Sequence, residues 1–182
     1  MEFLTKLEKK TLEWFKNVPH LPAAGQKWLG DNIWWIILVV AILTGIGALV
    51  SLAGLGALIS VAGSATVASY YVTSTVTAWA VVTGFVSLFF SIVEAILLAV
   101  AVQPLKEKQK KGWVLLFAAW LVVAIGVVVN SVLSLNVFGF ILGIIFGAVW
   151  VAVTGYFLYE IHGQFAHVER SRGVKKAAKE AK

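Results

Sequence analysis

Cysteine is absent from the chain, which excludes disulfides, thiolate chemistry and Cys-ligated zinc or iron–sulfur centres. Charge is also scarce. Only 13% of the 182 residues are Asp, Glu, Lys or Arg, against about 25% in soluble domains. Proline occurs three times, at Pro19, Pro22 and Pro104. Hydrophobic residues make up 60%, and the mean hydropathy is +0.90. One soluble core of this size cannot hide that much apolar surface, so the long apolar runs read as membrane spans.

The basic residues that do occur fall in three segments. Lys6, Lys9, Lys10, Lys16 and Lys27 precede the first apolar run. Lys106, Lys108, Lys110 and Lys111 form a middle cluster. Arg170, Arg172, Lys175, Lys176, Lys179 and Lys182 form the tail, and these account for all 15. Cytoplasmic flanks collect Lys and Arg. Four spans put all three segments on one side, so both termini are expected in the cytoplasm and the protein in the cell membrane. A five-span alternative would put the middle cluster outside, against the charge pattern. The apolar run begins only at Ile33, behind a charged segment, and reads as an uncleaved anchor rather than a signal peptide.

The expected fold is therefore all-α: a four-helix membrane bundle with an N-terminal amphipathic helix. Residues 1–31 are read as that helix followed by a Pro-containing linker, residues 32–160 as the membrane domain and residues 161–182 as a basic cytoplasmic tail. In the first segment Phe3, Leu4, Leu7, Thr11, Trp14, Phe15 and Val18 share one helical stripe, opposite Lys6, Lys9, Glu13 and Lys16. That helix either lies in the headgroup layer or packs on the cytoplasmic face of the bundle. The spans are expected at about 33–58, 79–102, 113–133 and 137–159, since about 20 residues cross the hydrocarbon core. Trp28, Trp34 and Trp35 mark the entry level of the first. Gly54 and Gly56 leave open a break there. Residues 63–77, rich in Ser, Thr and Ala, read as an outer loop with room for an interfacial or re-entrant segment. Gln103 and Pro104 are expected to end the second span, and Asn130, Ser131, Ser134 and Asn136 to mark a tight turn.

Glu94 is the acid deep in a span. It shares a small, polar stripe with Ala80, Gly84, Ser87, Ser91 and Ala95, so it is expected to face inward. Counting equal depth from each cytoplasmic end brings Thr44, Trp120 and Thr154 to its level. No Lys or Arg reaches that depth, and a lone carboxyl in low dielectric favours its neutral form. Two readings follow. Glu94 is a proton or cation site, or it is interhelical hydrogen-bond glue. Gly139, Gly143 and Gly147 line one face of the last span and point to close helix packing, within the chain or with a second copy.

Catalytic patterns are missing. No GxSxG elbow, Ser/His/Asp set or paired carboxylates stand out, and the glycines do not form a GxGxxG after a strand. His162 and His167 are five apart, off the spacing of a helical metal pair. Neither an enzyme, a cofactor, a metal site nor a nucleic-acid partner is expected. Lys106, Lys108, Lys110, Lys111, Arg170, Arg172, Lys175 and Lys176 are candidate contacts for anionic lipid, or set topology alone.

Several segments together carry a resemblance. They are Trp14 and Phe15 with Val18, Pro19, His20, Leu21 and Pro22; Gln26, Lys27, Trp28 and Leu29; and Asn32, Ile33, Trp34 and Trp35. Leu105, Lys106, Glu107 and Lys108 with Lys111, Gly112 and Trp113 continue it, as do Gly155, Tyr156 and Phe157 with residues 160–165. Over nearly the whole length the chain resembles a group of small four-span membrane proteins of reduced-genome bacteria. The resemblance implies a fold and a membrane, and no activity. The functions in competition are a structural, scaffold or accessory membrane protein, self-associating or bound to another membrane protein; a small transporter or channel using Glu94; and a holin-like permeabilising protein.

Overall fold

In a computed structural model the described residues form five helices: α1 (Glu2–Phe15), α2 (Ala23–Ser64), α3 (Tyr70–Lys106), α4 (Lys110–Leu133) and α5 (Val137–Glu160). Residues 2–15, 17–64, 70–134 and 136–165 are described; side chains at 2–5, 8, 9, 61–64 and 70–77 are not. No strand occurs among the described residues. Among the described residues four helices are long and apolar enough to cross a membrane. Their outward faces carry Leu43, Leu49, Phe89, Phe138 and Phe146, all exposed. That surface suits acyl chains rather than water.

The helices are longer than the sequence suggested. α2 has 42 residues, about 63 Å at 1.5 Å per residue. It starts ten residues before the expected span, inside the stretch read as linker, and passes Gly54 and Gly56 unbroken. Away from water a helix cannot open its backbone without losing hydrogen bonds, so glycine alone does not stop it there. The expected loop over residues 63–77 is largely helical as well, since α2 runs to Ser64 and α3 starts at Tyr70. Serine, threonine and alanine are tolerated by a helix when neither proline nor a cap ends it. α3 likewise continues through Pro104 to Lys106. Proline is bearable so near the end, where few intrahelical bonds remain to be lost.

A tight turn joins α3 to α4. Lys108 takes a left-handed conformation (φ 52°), and its N–H reaches the Leu105 carbonyl at 2.9 Å while the Gln109 N–H reaches that of Pro104 at 2.8 Å. Gly112 then lies against the α3 backbone. A Cβ there would stand 2.7 Å from the Leu105 nitrogen, so only glycine fits. At the other end Asn136 caps α5 by accepting from the Gly139 N–H.

Packing follows chain order: α2 on α3, α3 on α4, α4 on α5, with α1 against α5. Each junction seats a side chain on a glycine. Leu55 of α2 sits over Gly84 of α3, and Phe90 of α3 over Gly126 of α4. Val127 and Ser131 of α4 sit over Gly147 and Gly143 of α5. Gly139, expected to extend that packing face, instead meets the cap side chain of Asn136. Gly45, Gly47, Gly54 and Gly56 of α2 have nothing within 4 Å of where a Cβ would stand.

The largest buried side chains gather at the Lys-bearing end: Trp113, Phe117, Phe165, Leu105 and Ile161. There Trp113 and Phe117 stack at 5.4 Å, and Tyr159 meets Trp113 edge-on at 5.9 Å. α1 docks on this cluster. Phe15 stacks on Tyr159 at 4.7 Å, and buried Thr11 bonds the Tyr159 hydroxyl. Trp14, expected on the buried stripe, is 65% exposed, while Leu12, which lies off that stripe, packs against the core.

A branched residue at a seated glycine must push a neighbour aside. Gly147→Ile, whose Cβ would meet Val127 at 2.1 Å, is expected to cost about 1–3 kcal/mol. Its melting temperature in detergent should fall, while that of Gly47→Ile should stay at the wild-type value. Equal melting of both variants would contradict this packing of α4 on α5.

Candidate functional site

The row of helices does not close on itself. Apart from contacts at the Lys-bearing end, α2 and α5 share no extended interface among the described residues. Between them lies a cleft of about 400 Å³. α2 contributes Leu29, Ile33, Ile36, Ile37 and Val40. α4 contributes Leu116, Ala119, Trp120 and Val123, and α5 contributes Trp150, Thr154, Phe157, Leu158 and Ile161. α3 forms the back wall with Leu98 and Glu94. The lining is almost wholly apolar, and two of its residues, Val40 and Trp150, are exposed.

Glu94 is half-buried in this wall and makes no hydrogen bond among the described residues. The partners expected at its depth are engaged elsewhere. Trp120 donates its indole N–H to the Val151 carbonyl at 2.9 Å. Thr154 donates to carbonyls of its own helix, Trp150 at 2.8 Å and Val151 at 3.3 Å. Helical threonines commonly return their hydroxyl in this way. Ser87, on the same helix as Glu94, pairs with Asn130 of α4 at 2.6 Å. Thr44 and Ser91 do not line the cleft. The structure thus brings Glu94, Trp120 and Thr154 into one cavity and leaves the carboxyl unbonded. Depth fixes which residues are level and not which way their donors point.

A second acid, Glu160, sits at the base of α5. The Glu160 side chain is 2% exposed. It accepts from His20 Nδ1 at 2.7 Å, the Leu21 N–H at 2.9 Å and Gln26 Nε2 at 3.0 Å. Tyr156, one turn earlier, donates to the Pro19 carbonyl at 2.9 Å. Together they bind the segment between α1 and α2 to the end of α5. Close by, Gly30 of α2 lies against Gln164. A signal existed: Glu160 is the lone acid between Glu107 and Glu169, and it stands where the helix dipole disfavours negative charge. Such an acid needs donors.

The basic residues divide. Lys106 lies 5.2 Å from the Trp34 ring centroid, and Lys108 pairs with Asp31. Lys27 and Lys111 are exposed. Arg170, Arg172, Lys175 and Lys176, with His167, lie outside the described residues. No group of three or more His, Asp or Glu placed to hold a metal occurs among the described residues.

No protein-family model, curated protein or solved structure matches the chain.

Removing the Glu160 carboxylate strands three donors, two of them on side chains that water can reach. Glu160→Ala is expected to cost about 1–3 kcal/mol and to speed limited proteolysis within residues 17–26, with the membrane helices still inserted. Unchanged cleavage kinetics would show that this segment is held by other contacts.

Proposed function

We propose that this is a non-enzymatic, multi-pass protein of the cytoplasmic membrane that serves as an accessory binding protein for a molecule dissolved in the lipid. The observation that carries this is the cleft between α2 and α5, almost wholly apolar, with one carboxyl in its wall that makes no hydrogen bond among the described residues. Ligand sites are concave, largely apolar and equipped with a few polar groups that orient the guest. A carboxyl kept at depth within a span without a bond inside the protein costs insertion free energy. A guest that bonds it offsets that cost.

The orientation we assign follows the lysines. Lys27, Lys106, Lys108, Lys110 and Lys111 cluster at the end where α2 begins and α3 turns into α4, and the positive-inside rule makes that end cytoplasmic. Exposed Lys27 and Lys111 then face anionic headgroups, each contributing about 1 kcal/mol near such a surface.

An alkyl diazirine alcohol dissolved in the bilayer and photolysed tests the cleft. It should label the wall residues Leu98, Leu116 or Trp120, and Val123→Phe should suppress that labelling by filling the space. Label confined to outward-facing residues such as Leu49 and Phe146 would refute the binding reading. Orientation is checked separately with single cysteines in intact cells. Ser134→Cys should react with an impermeant thiol reagent, and Gln109→Cys should not; the reverse pattern would invert the topology.

A further inference from the structure

We infer that the guest of the cleft is a single-chain lipophilic amine, with its nitrogen at Glu94 and its chain against Ile33, Ile37 and Leu116. This rests on the binding reading above and adds the chemistry of the guest. Three observations select it.

The first is the polar inventory of the cavity. Trp120 and Thr154 already spend their donors on α5 carbonyls, which leaves the Glu94 carboxyl and the indole N–H of exposed Trp150 to meet a guest, and of these two only the carboxyl is ionisable. Among the described residues no Lys, Arg or His lines the cleft. An anionic head would therefore meet a carboxyl and no cation, and a zwitterionic head would leave its negative part unpaired in a low dielectric.

The second is the company that the carboxyl keeps. Trp120, Trp150 and Phe157 line the same space, and aromatic faces attract ammonium groups, more strongly where water is excluded. A carboxyl with aromatic walls complements a cation better than it complements an alcohol or an amide.

The third is size. About 400 Å³ lies near the lower end of the roughly 300–1,000 Å³ typical of ligand pockets. One alkyl chain fits such a space better than a two-chain lipid.

The proton balance is simple. The amine crosses the lipid uncharged and enters sideways between α2 and α5. The neutral Glu94 carboxyl gives its proton to the amine nitrogen, whose lone pair forms the new N–H bond as the carboxyl O–H breaks. An ammonium–carboxylate pair results with no net charge moved into the bilayer, so neither ion is buried alone. No other reactant is needed.

The experiment is displacement of the diazirine label from Leu98, Leu116 or Trp120 in proteoliposomes by 1-decylamine, 1-decanol and decanoic acid. A charge-assisted bond should let decylamine displace the label at roughly tenfold lower membrane concentration than decanol, or lower still. Decanoic acid should be no better than decanol. Glu94→Gln keeps the side chain's size, and with its melting temperature as a check of folding it should displace label equally with amine and alcohol. Glu94→Asp should retain the preference for the amine. Wall labelling without amine preference in the wild type, or a preference that survives in Glu94→Gln, overturns the amine and leaves the cleft reading standing. Absence of wall labelling overturns both.

Discussion

An indole N–H inside a bilayer has no water to bond, so it must find an acceptor in the protein. For three of the tryptophans the acceptors are backbone carbonyls of neighbouring helices. Trp79 donates to Leu133 at 2.8 Å, Trp120 to Val151 at 2.9 Å and Trp113 to Leu158 at 2.9 Å. These bonds fix how far α3 stands along α4, and α4 along α5. Hydrophobic burial cannot set that register, because lipid tails are as apolar as the side chains. The seated glycines act within it. Gly143 and Gly147 receive Ser131 and Val127, and Gly155 lets Trp120 and Phe15 approach α5.

Much of this was legible beforehand, and the limits have physical causes. Apolar length reveals four spans because the cost of inserting a segment is set largely by its own residues and their positions along it. The ends of the helices were less legible. Residues 63–77 look loop-like by their Ser, Thr and Ala content, yet nothing in them forbids a helix, and α2 and α3 run on into them. The spacing of Gly143 and Gly147 announced close approach, though it could not say that α4 was the partner. Gly45, Gly47, Gly54 and Gly56 of α2, by contrast, have nothing within 4 Å of where a Cβ would stand. Depth counting did place Trp120 and Thr154 beside Glu94 in one cavity. It could not foresee that both donors return to α5.

Two acids make the contrast that defines the molecule. Glu160, at the end of α5, is saturated with donors from His20, Leu21 and Gln26 and has a structural role. Glu94, nearer the middle of α3, has an apolar cavity in front of it. Residue type and span position suggested interest in the second. The difference lies in the donors that tertiary structure delivers, and a single sequence does not display those.

Because spatial order repeats chain order, assembly needs few distant encounters. Contacts of short sequence separation form quickly, so α3 can dock on α2, and α4 on α3, as each leaves the ribosome. The exception is the Glu160 contact to His20, which spans 140 positions. The amino-terminal segment is synthesised first and anchored last, only after α5 has entered the bilayer. During that interval its basic, partly apolar helix stands exposed to whatever chaperones attend insertion, and its docking on α5 marks a chain whose four spans are all in place.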